Sequence, residues 1–93
     1  MQKTLARARV QSLFFFMTTG ERLKQYAETK GITLYVVAKR SNISTQIIYN
    51  FVNGVNQLSL DNVSKLVDTF DDLDPRWLLT GKGAMIVGEH AQA

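Results

Sequence analysis

Residues 45 to 53 form a segment in which polar and apolar side chains separate at the spacing of an α-helix. At ~100° per residue, five polar side chains fall within about 140° of arc. They are Thr45, Gln46, Tyr49, Asn50 and Asn53. The opposite, apolar side can be buried and holds Ile47, Ile48, Phe51 and Val52. The polar side has no charge, whereas a solvated helix face usually carries Lys and Glu. Amide side chains are suited to paired hydrogen bonds with base edges, adenine above all, in the major groove of DNA.

A second short helical pattern and a tight turn precede this segment. Thr33 can cap a helix over about residues 34 to 41, in which the small Ala38 lies where the next helix must cross closely. Asn42 occupies the turn and tolerates a left-handed backbone better than most residues. Ser44 is expected to cap the helix that follows, and Asn53-Gly54 to end it. The sequence therefore predicts two helices joined by a tight turn.

This stretch resembles the helix-turn-helix of the phage repressor and Cro (XRE-like) family, and the resemblance spans about residues 18 to 83. The matching residues are Ala38, Ile43, Ser44, Ile48 and Asn53-Gly54. A second motif, Asp74-Pro75-Arg76-Trp77-Leu78-Leu79-Thr80-Gly81, is similar to the D-x-x-W-L-L-x-G of the family's last helix. The resemblance implies an all-α, compact five-helix, lambda-repressor-like DNA-binding domain.

Three positions depart from the pattern of the family. Asn42 stands at the turn, where the family prefers Gly. Leu34 stands where the family often has a Gln that contacts a DNA phosphate, so that contact is not expected here. Val52 stands where Glu often precedes Asn-Gly, so an apolar contact is expected in place of an ion pair.

The resemblance and the uncharged polar side together define the candidate DNA contacts. Base contacts are predicted for Thr45, Gln46, Tyr49 and Asn50. Phosphate contacts are predicted for Lys39, Arg40, Ser44 and Asn53. The alternative for each polar or charged residue is an ordinary solvated surface position. For Ser44 and Asn53 the alternative is a role as a helix cap alone.

Hydrophobic periodicity predicts three further helices. One spans about residues 20 to 30, one spans about residues 60 to 70, and one begins at Pro75 after a capping Asp. These helices define a helix-turn-helix domain over residues 17 to 83, followed by a C-terminal tail over residues 84 to 93.

Residues 1 to 16 form an N-terminal extension that is basic and then aromatic. In one interpretation, Phe14 to Phe16 pack on the domain as a short helix or strand. In another, the natural start is Met17 and the extension is not native. A signal peptide is disfavoured, because Gln11-Ser12 interrupts the apolar stretch and no A-x-A-like cleavage site follows.

Charge is unevenly distributed along the chain. The formal net charge is +3, yet the extension alone contributes Lys3, Arg7 and Arg9, and residues 17 to 93 carry eight bases and eight acids. Within that part, bases predominate up to residue 60 and acids predominate from residue 61 to 74. The helix-turn-helix lies in the positive half. Such a dipole would orient the domain on a polyanion, with an affinity that falls as salt rises.

The composition excludes several classes of function. There is no Cys, and the one His, His90, stands in a polar tail. No run approaches the roughly 20 apolar residues of a transmembrane helix. Gly81-Lys82-Gly83 is too short for a phosphate-binding loop, and the paired acids Asp71 and Asp72 are interpreted as a solvated turn. We therefore expect no enzyme, cofactor, metal, membrane association or small-molecule ligand.

Together with the resemblance, these features predict sequence-specific binding of double-stranded DNA by a transcriptional regulator, with repression expected and residues 45–52 as the recognition helix. A weak homodimer is expected to read two half-sites. Ile86 would lie near its axis, unless residues 84 to 87 fold back on their own domain. The expected location is the cytoplasm, at the nucleoid, for a bacterial or phage-encoded protein. The alternative is the same fold used as a protein-interaction or antitoxin module.

Overall fold

The computed structural model of the protein describes residue 14 and residues 16–88. This part of the chain forms five helices, which are α1 (Thr19–Lys30), α2 (Leu34–Ser41), α3 (Thr45–Val52), α4 (Leu60–Thr69) and α5 (Pro75–Thr80). An isolated antiparallel bridge joins Leu73 to Ile86. The predicted all-α, five-helix architecture is confirmed.

Local capping explains where α1 begins and ends. The Glu21 N–H donates to Thr18 Oγ1 over 3.0 Å, and the Thr18 N–H donates to Glu21 Oε1 over 2.8 Å, which completes a capping box. At the other end, Gly31 adopts the left-handed conformation, with φ of 71°. A residue without a Cβ takes that conformation at little cost, so α1 stops there.

The start of α5 is fixed by a different pair of signals. Asp74 accepts hydrogen bonds from the N–H groups of Arg76 and Trp77, and Pro75 occupies the first helical position. Proline suits this position because its missing N–H would have had no partner within the helix. The predicted start of the last helix is confirmed.

A single hydrophobic core lies between the helices. Its largest fully buried side chains include Trp77, Tyr26, Leu23 and Ile48. The α1 helix contacts both α3 and α5, and α2 contacts both α3 and α4. The α3 helix therefore rests on a base formed by α1 and α2, with its remaining surface facing outward.

Arg22 connects three parts of the chain from inside this core. Only 4% of the residue is exposed, and its guanidinium donates to the carbonyl groups of Phe14, Met17, Leu78 and Leu79 and to Thr19 Oγ1. Burial lowers the pKa of the guanidinium below its usual value, opposed in part by nearby Glu21. Because every contact is to a neutral oxygen, Arg22 acts as a hydrogen-bonding clamp.

The extension reaches the folded domain at Phe14. The Phe14 ring packs edge-on against Trp77, with centroids 5.1 Å apart, whereas Phe16 is 81% exposed. Packing of the upstream aromatic residues is thus found at the first of these two positions. Residues 1–13 and Phe15 lie outside the described residues, so the interpretations of the extension as a whole stay predictions.

Residues 84 to 88 fold back on their own domain. The Asp74 N–H donates to the Met85 carbonyl over 2.9 Å, and the Val87 N–H donates to the Asp72 carbonyl over 2.7 Å. Met85 and Ile86 pack against the core. The segment follows the fold-back alternative. The expectation that Ile86 lies near a dimer axis is wrong, because the side chain packs against the core of its own domain. Residues 89–93 of the predicted tail lie outside the described residues.

Candidate nucleic-acid interface

The turn between α2 and α3 is built on Asn42. Asn42 has φ of 57° and ψ of 42°, and is the one non-glycine residue with positive φ in the part of the chain that the structure describes. Its N–H donates to the Lys39 carbonyl, and the Ile43 N–H donates to the Ala38 carbonyl. Buried Ile43 then anchors the turn on the core. The predicted left-handed turn residue is confirmed.

Close packing against α2 seats α3. Ala38 and Val37 on α2 are fully buried, as is Ile48 on α3. Because Ala38 offers only a methyl group, the two helices can approach closely at this point. The full burial of Ala38 on a helix that contacts α3 agrees with its predicted place at the crossing of the two helices.

A second contact seats the other end of α3 against α1. A Cβ built on Gly20 would lie 2.1 Å from the Phe51 carbonyl oxygen and 2.9 Å from the Val52 Cα. The first turn of α1 therefore touches the backbone of the last turn of α3. Sequence analysis missed this contact. Its one local signal is a glycine inside a helix, where alanine is preferred by about 1 kcal/mol.

The apolar side of α3 is mostly buried, with one exception. Ile48, Phe51 and Val52 are buried, as predicted. Ile47 is 41% exposed, so its assignment to the buried side is wrong. It lies about 90° around the helix from the centre of the buried side, where neither α1 nor α2 covers it.

The predicted base-contacting residues share the outward side of α3. Gln46 and Tyr49 are exposed, and Thr45 and Asn50 are partly exposed. Gln46 Nε2 donates to Asn50 Oδ1 over 2.9 Å, which links two amides one helical turn apart. No side chain on α3 is charged. The outward surface of the helix thus offers amides, a hydroxyl and a phenol.

The two ends of α3 differ from expectation in one respect. Ser44 occupies the N-cap position, but its side chain makes no capping hydrogen bond, so the predicted Ser44 cap is wrong in this detail. Its backbone has φ of −54° and ψ of 136°, and its carbonyl accepts the first hydrogen bond of the helix from the Ile48 N–H over 3.1 Å. At the other end, the Asn53 N–H donates to the Tyr49 carbonyl and Gly54 takes a φ of 79°.

Lys39 and Arg40 lie on different flanks of α2. Lys39 Nζ lies 5.3 Å from the ring centroid of Tyr35, one turn earlier on the same flank. Arg40 is about 100° further round, and its charge partly opposes the rise in the pKa of Tyr26 on α1 that burial and Asp72 cause. Tyr35 is 53% exposed and was missed by sequence analysis. Its spacing of four residues from Lys39 is the signal that could have found it.

One acid in the turn before α5, Asp72, is bonded to side chains of α1 and is not simply solvated. Asp72 accepts from the Tyr26 hydroxyl and from Lys30 Nζ, the latter over 2.5 Å. The bonds from Lys30 and Tyr26 hold the pKa of Asp72 below its usual value, while burial and Asp72 raise the pKa of Tyr26. The interpretation of both acids as a solvated turn is therefore wrong for Asp72, which ties α1 to the α4–α5 turn.

The described residues hold no candidate for two other kinds of site. No group of three or more His, Cys, Asp or Glu residues there is placed to hold a metal ion. None of the helices within residues 16–88 is long and apolar enough to cross a membrane.

Comparison with known proteins places the chain in a family. The sequence model of a family described as helix-turn-helix matches residues 23–78, well over half of the chain. No curated protein and no solved structure matches the chain. The matched region contains α2, α3 and the turn between them, together with most of α1 and α5. The chain therefore belongs to the XRE-like helix-turn-helix family.

Proposed function

We propose that the protein is a transcriptional regulator that binds double-stranded DNA with sequence specificity, inserting α3 into the major groove. The observation that carries this proposal is the outward side of α3, which presents uncharged hydrogen-bonding groups on a helix fixed by α1 and α2. The helix-turn-helix family is a DNA-binding regulatory family, which supports the same function. A regulator of this kind acts on DNA at the nucleoid.

The residues proposed to contact the bases are Thr45, Gln46, Tyr49 and Asn50. Amide groups match the adenine edge, which offers one donor and one acceptor in the major groove. The hydroxyl groups of Thr45 and Tyr49 can donate or accept, so they suit several base edges. Their shared position on the outward side of one short helix lets them approach a single groove together.

Phosphate contacts fix the orientation of the domain without reading sequence. Lys39 is an exposed cation on α2, and its Nζ lies beside the exposed ring of Tyr35. Ser44 stands at the start of α3 with its hydroxyl not used in capping. The positive end of the helix dipole there favours an anion. Asn53 at the end of α3 and Arg40 on the other flank of α2 complete the proposed set.

Repression by occupancy is the simplest mechanism for such a domain. A two-turn recognition helix contacts only a few base pairs, so useful specificity requires two copies on two half-sites about one DNA turn apart. We therefore propose that the chain forms a weak homodimer, and that its two copies associate more tightly when bound to DNA. Sedimentation equilibrium of the full chain with and without a palindromic duplex tests it. Monomers that bind the palindrome without cooperativity would overturn the dimer.

The experiment that tests the function is selection of bound duplexes from a randomised DNA library, followed by gel shifts over a range of salt concentrations. The proposal predicts a consensus sequence and an affinity for it that exceeds the affinity for scrambled DNA. A protein-interaction or antitoxin module would instead retard DNA only weakly and irrespective of sequence. That result would overturn the proposal.

A further inference from the structure

The hydrogen bond between Gln46 and Asn50 joins two of the residues proposed to contact bases. Gln46 Nε2 donates to Asn50 Oδ1 over 2.9 Å, across one turn of α3. Within residues 16–88, no other side chain is hydrogen-bonded to either amide. The two side chains therefore form one unit on the outward side of the helix.

The two amides are not equivalent within this unit. A primary amide carries two N–H donors and one carbonyl acceptor. A paired contact to adenine uses the carbonyl and one N–H of the same amide. Gln46 gives one N–H to Asn50 and keeps its other N–H and its carbonyl, the set that adenine requires. Asn50 has already engaged its carbonyl, so its uncommitted groups are mainly donors.

The exposure and length of the two side chains support the same division of roles. Gln46 is exposed and Asn50 is partly buried, so the longer side chain projects further from the domain. An unrestrained Gln side chain populates many rotamers, and a base contact must reduce that conformational entropy. A bond to Asn50 that already exists without DNA reduces the freedom left to lose on binding.

We propose that Asn50 is a positioning residue for Gln46, and that the two side chains read one adenine·thymine base pair as a unit. This inference rests on the proposed function of α3 as the recognition helix. It replaces two independent base contacts by one contact made by Gln46 and oriented by Asn50.

The test begins with the consensus duplex that the full chain selects from a randomised library. Affinities are then measured for that duplex and for its single base-pair variants, using the wild type, Gln46→Ala, Asn50→Ala and the double variant. Both single variants are expected to lose discrimination at the same adenine·thymine pair, each by about 5- to 150-fold. The double variant is expected to lose no more than the worse single variant.

Asn50→Asp supplies the readout that a structural defect would not give. Its carboxylate keeps an acceptor for Gln46 Nε2, so discrimination at that base pair should persist. Overall affinity should fall for all sequences, because the added charge repels phosphates. Alanine has a higher helix propensity than asparagine, so Asn50→Ala should retain the fold, which circular dichroism checks.

Three results would overturn the inference while leaving the proposed function intact. The first is that Asn50→Ala relaxes a different base pair from Gln46→Ala, and the second is that the double variant shows the product of the two losses. The third is that Asn50→Asp loses discrimination as fully as Asn50→Ala. If the wild type selects no sequence at all, the proposed function fails and the inference fails with it.

Discussion

Gly20, in the first turn of α1, lies directly against the carbonyl group of Phe51 in the last turn of α3. A Cβ added at Gly20 would lie 2.1 Å from the Phe51 oxygen, closer than any real contact. The oxygen belongs to the backbone, so it cannot move aside as a flexible side chain could. The absence of a side chain at position 20 therefore sets how α3 sits on the domain.

Gly20→Ala is expected to destabilise the domain by about 1–3 kcal/mol, because the added methyl group forces α1 and α3 apart. It should also weaken DNA binding, since the outward side of α3 is displaced. Helix propensity alone predicts the opposite sign, a gain of about 1 kcal/mol. Thermal unfolding followed by circular dichroism measures the change, with exposed Thr29→Ala in the same helix as the control. A Gly20→Ala chain as stable as the wild type would refute the contact.

Arg22→Met is expected to lower the free energy of unfolding by at least about 2 kcal/mol, because carbonyl groups in the core lose their donors. Arg22→Lys should recover only part of this loss, since Lys lacks the planar fork that reaches several acceptors. Urea unfolding of both variants measures the effect. Lys24→Met, at an exposed position of α1, is the matched control. Equal stability of the Arg22 and Lys24 variants would argue against the clamp.

Asp72 should make stability depend on pH in the acid range. The bonds from Lys30 and Tyr26 lower its pKa in the folded state below the ordinary 3.8. Its contribution is therefore fully present above that value and is lost as pH falls through the folded pKa. The ion pair is part-exposed, which keeps the effect to about 1 kcal/mol or less. Chemical unfolding between pH 2 and 6 should show a shallower acid decline in Asp72→Asn, while exposed Asp68→Asn retains the wild-type decline. Identical profiles for wild type and Asp72→Asn would contradict this.

Lys39→Ala should weaken binding to all DNA sequences alike and reduce the slope of log affinity against log salt by about one, as expected for one lost phosphate contact. Arg40→Ala removes the same charge from the other flank of α2 and should reduce the slope by a similar amount, because Arg40 belongs to the proposed phosphate-contacting set. Titrations at several salt concentrations give the two slopes. An unchanged slope for Lys39→Ala would remove Lys39 from the interface, and an equal drop for both variants would place both residues in it.

Features set within one helical turn were predictable from the sequence. Thr33 and Asp74 cap helices as expected, and Asn42 takes the left-handed conformation of the turn. Each signal depends on a residue and on neighbours no more than four positions away. The polar side of α3 was predictable for the same reason, because helical periodicity alone separates it from the buried side.

Contacts between distant parts of the chain were not predictable. Arg22 donates to carbonyl groups 56 and 57 residues away, and Asp72 pairs with residues 42 and 46 positions away. No periodicity specifies such partners. The exposure of Ile47 depends likewise on where α1 and α2 end, and a helical wheel for α3 does not contain that information.

The measurement that bears most directly on the central claim is the ratio of affinities for the selected duplex and for a scrambled duplex, in the wild type and in Gln46→Ala. Loss of one base-edge contact should reduce the ratio by about 5- to 150-fold while affinity for scrambled DNA stays unchanged. Gln25→Ala removes the same amide from α1 and should leave the ratio unchanged. A wild-type ratio near one, or a ratio that Gln46→Ala does not alter, would contradict sequence recognition by α3.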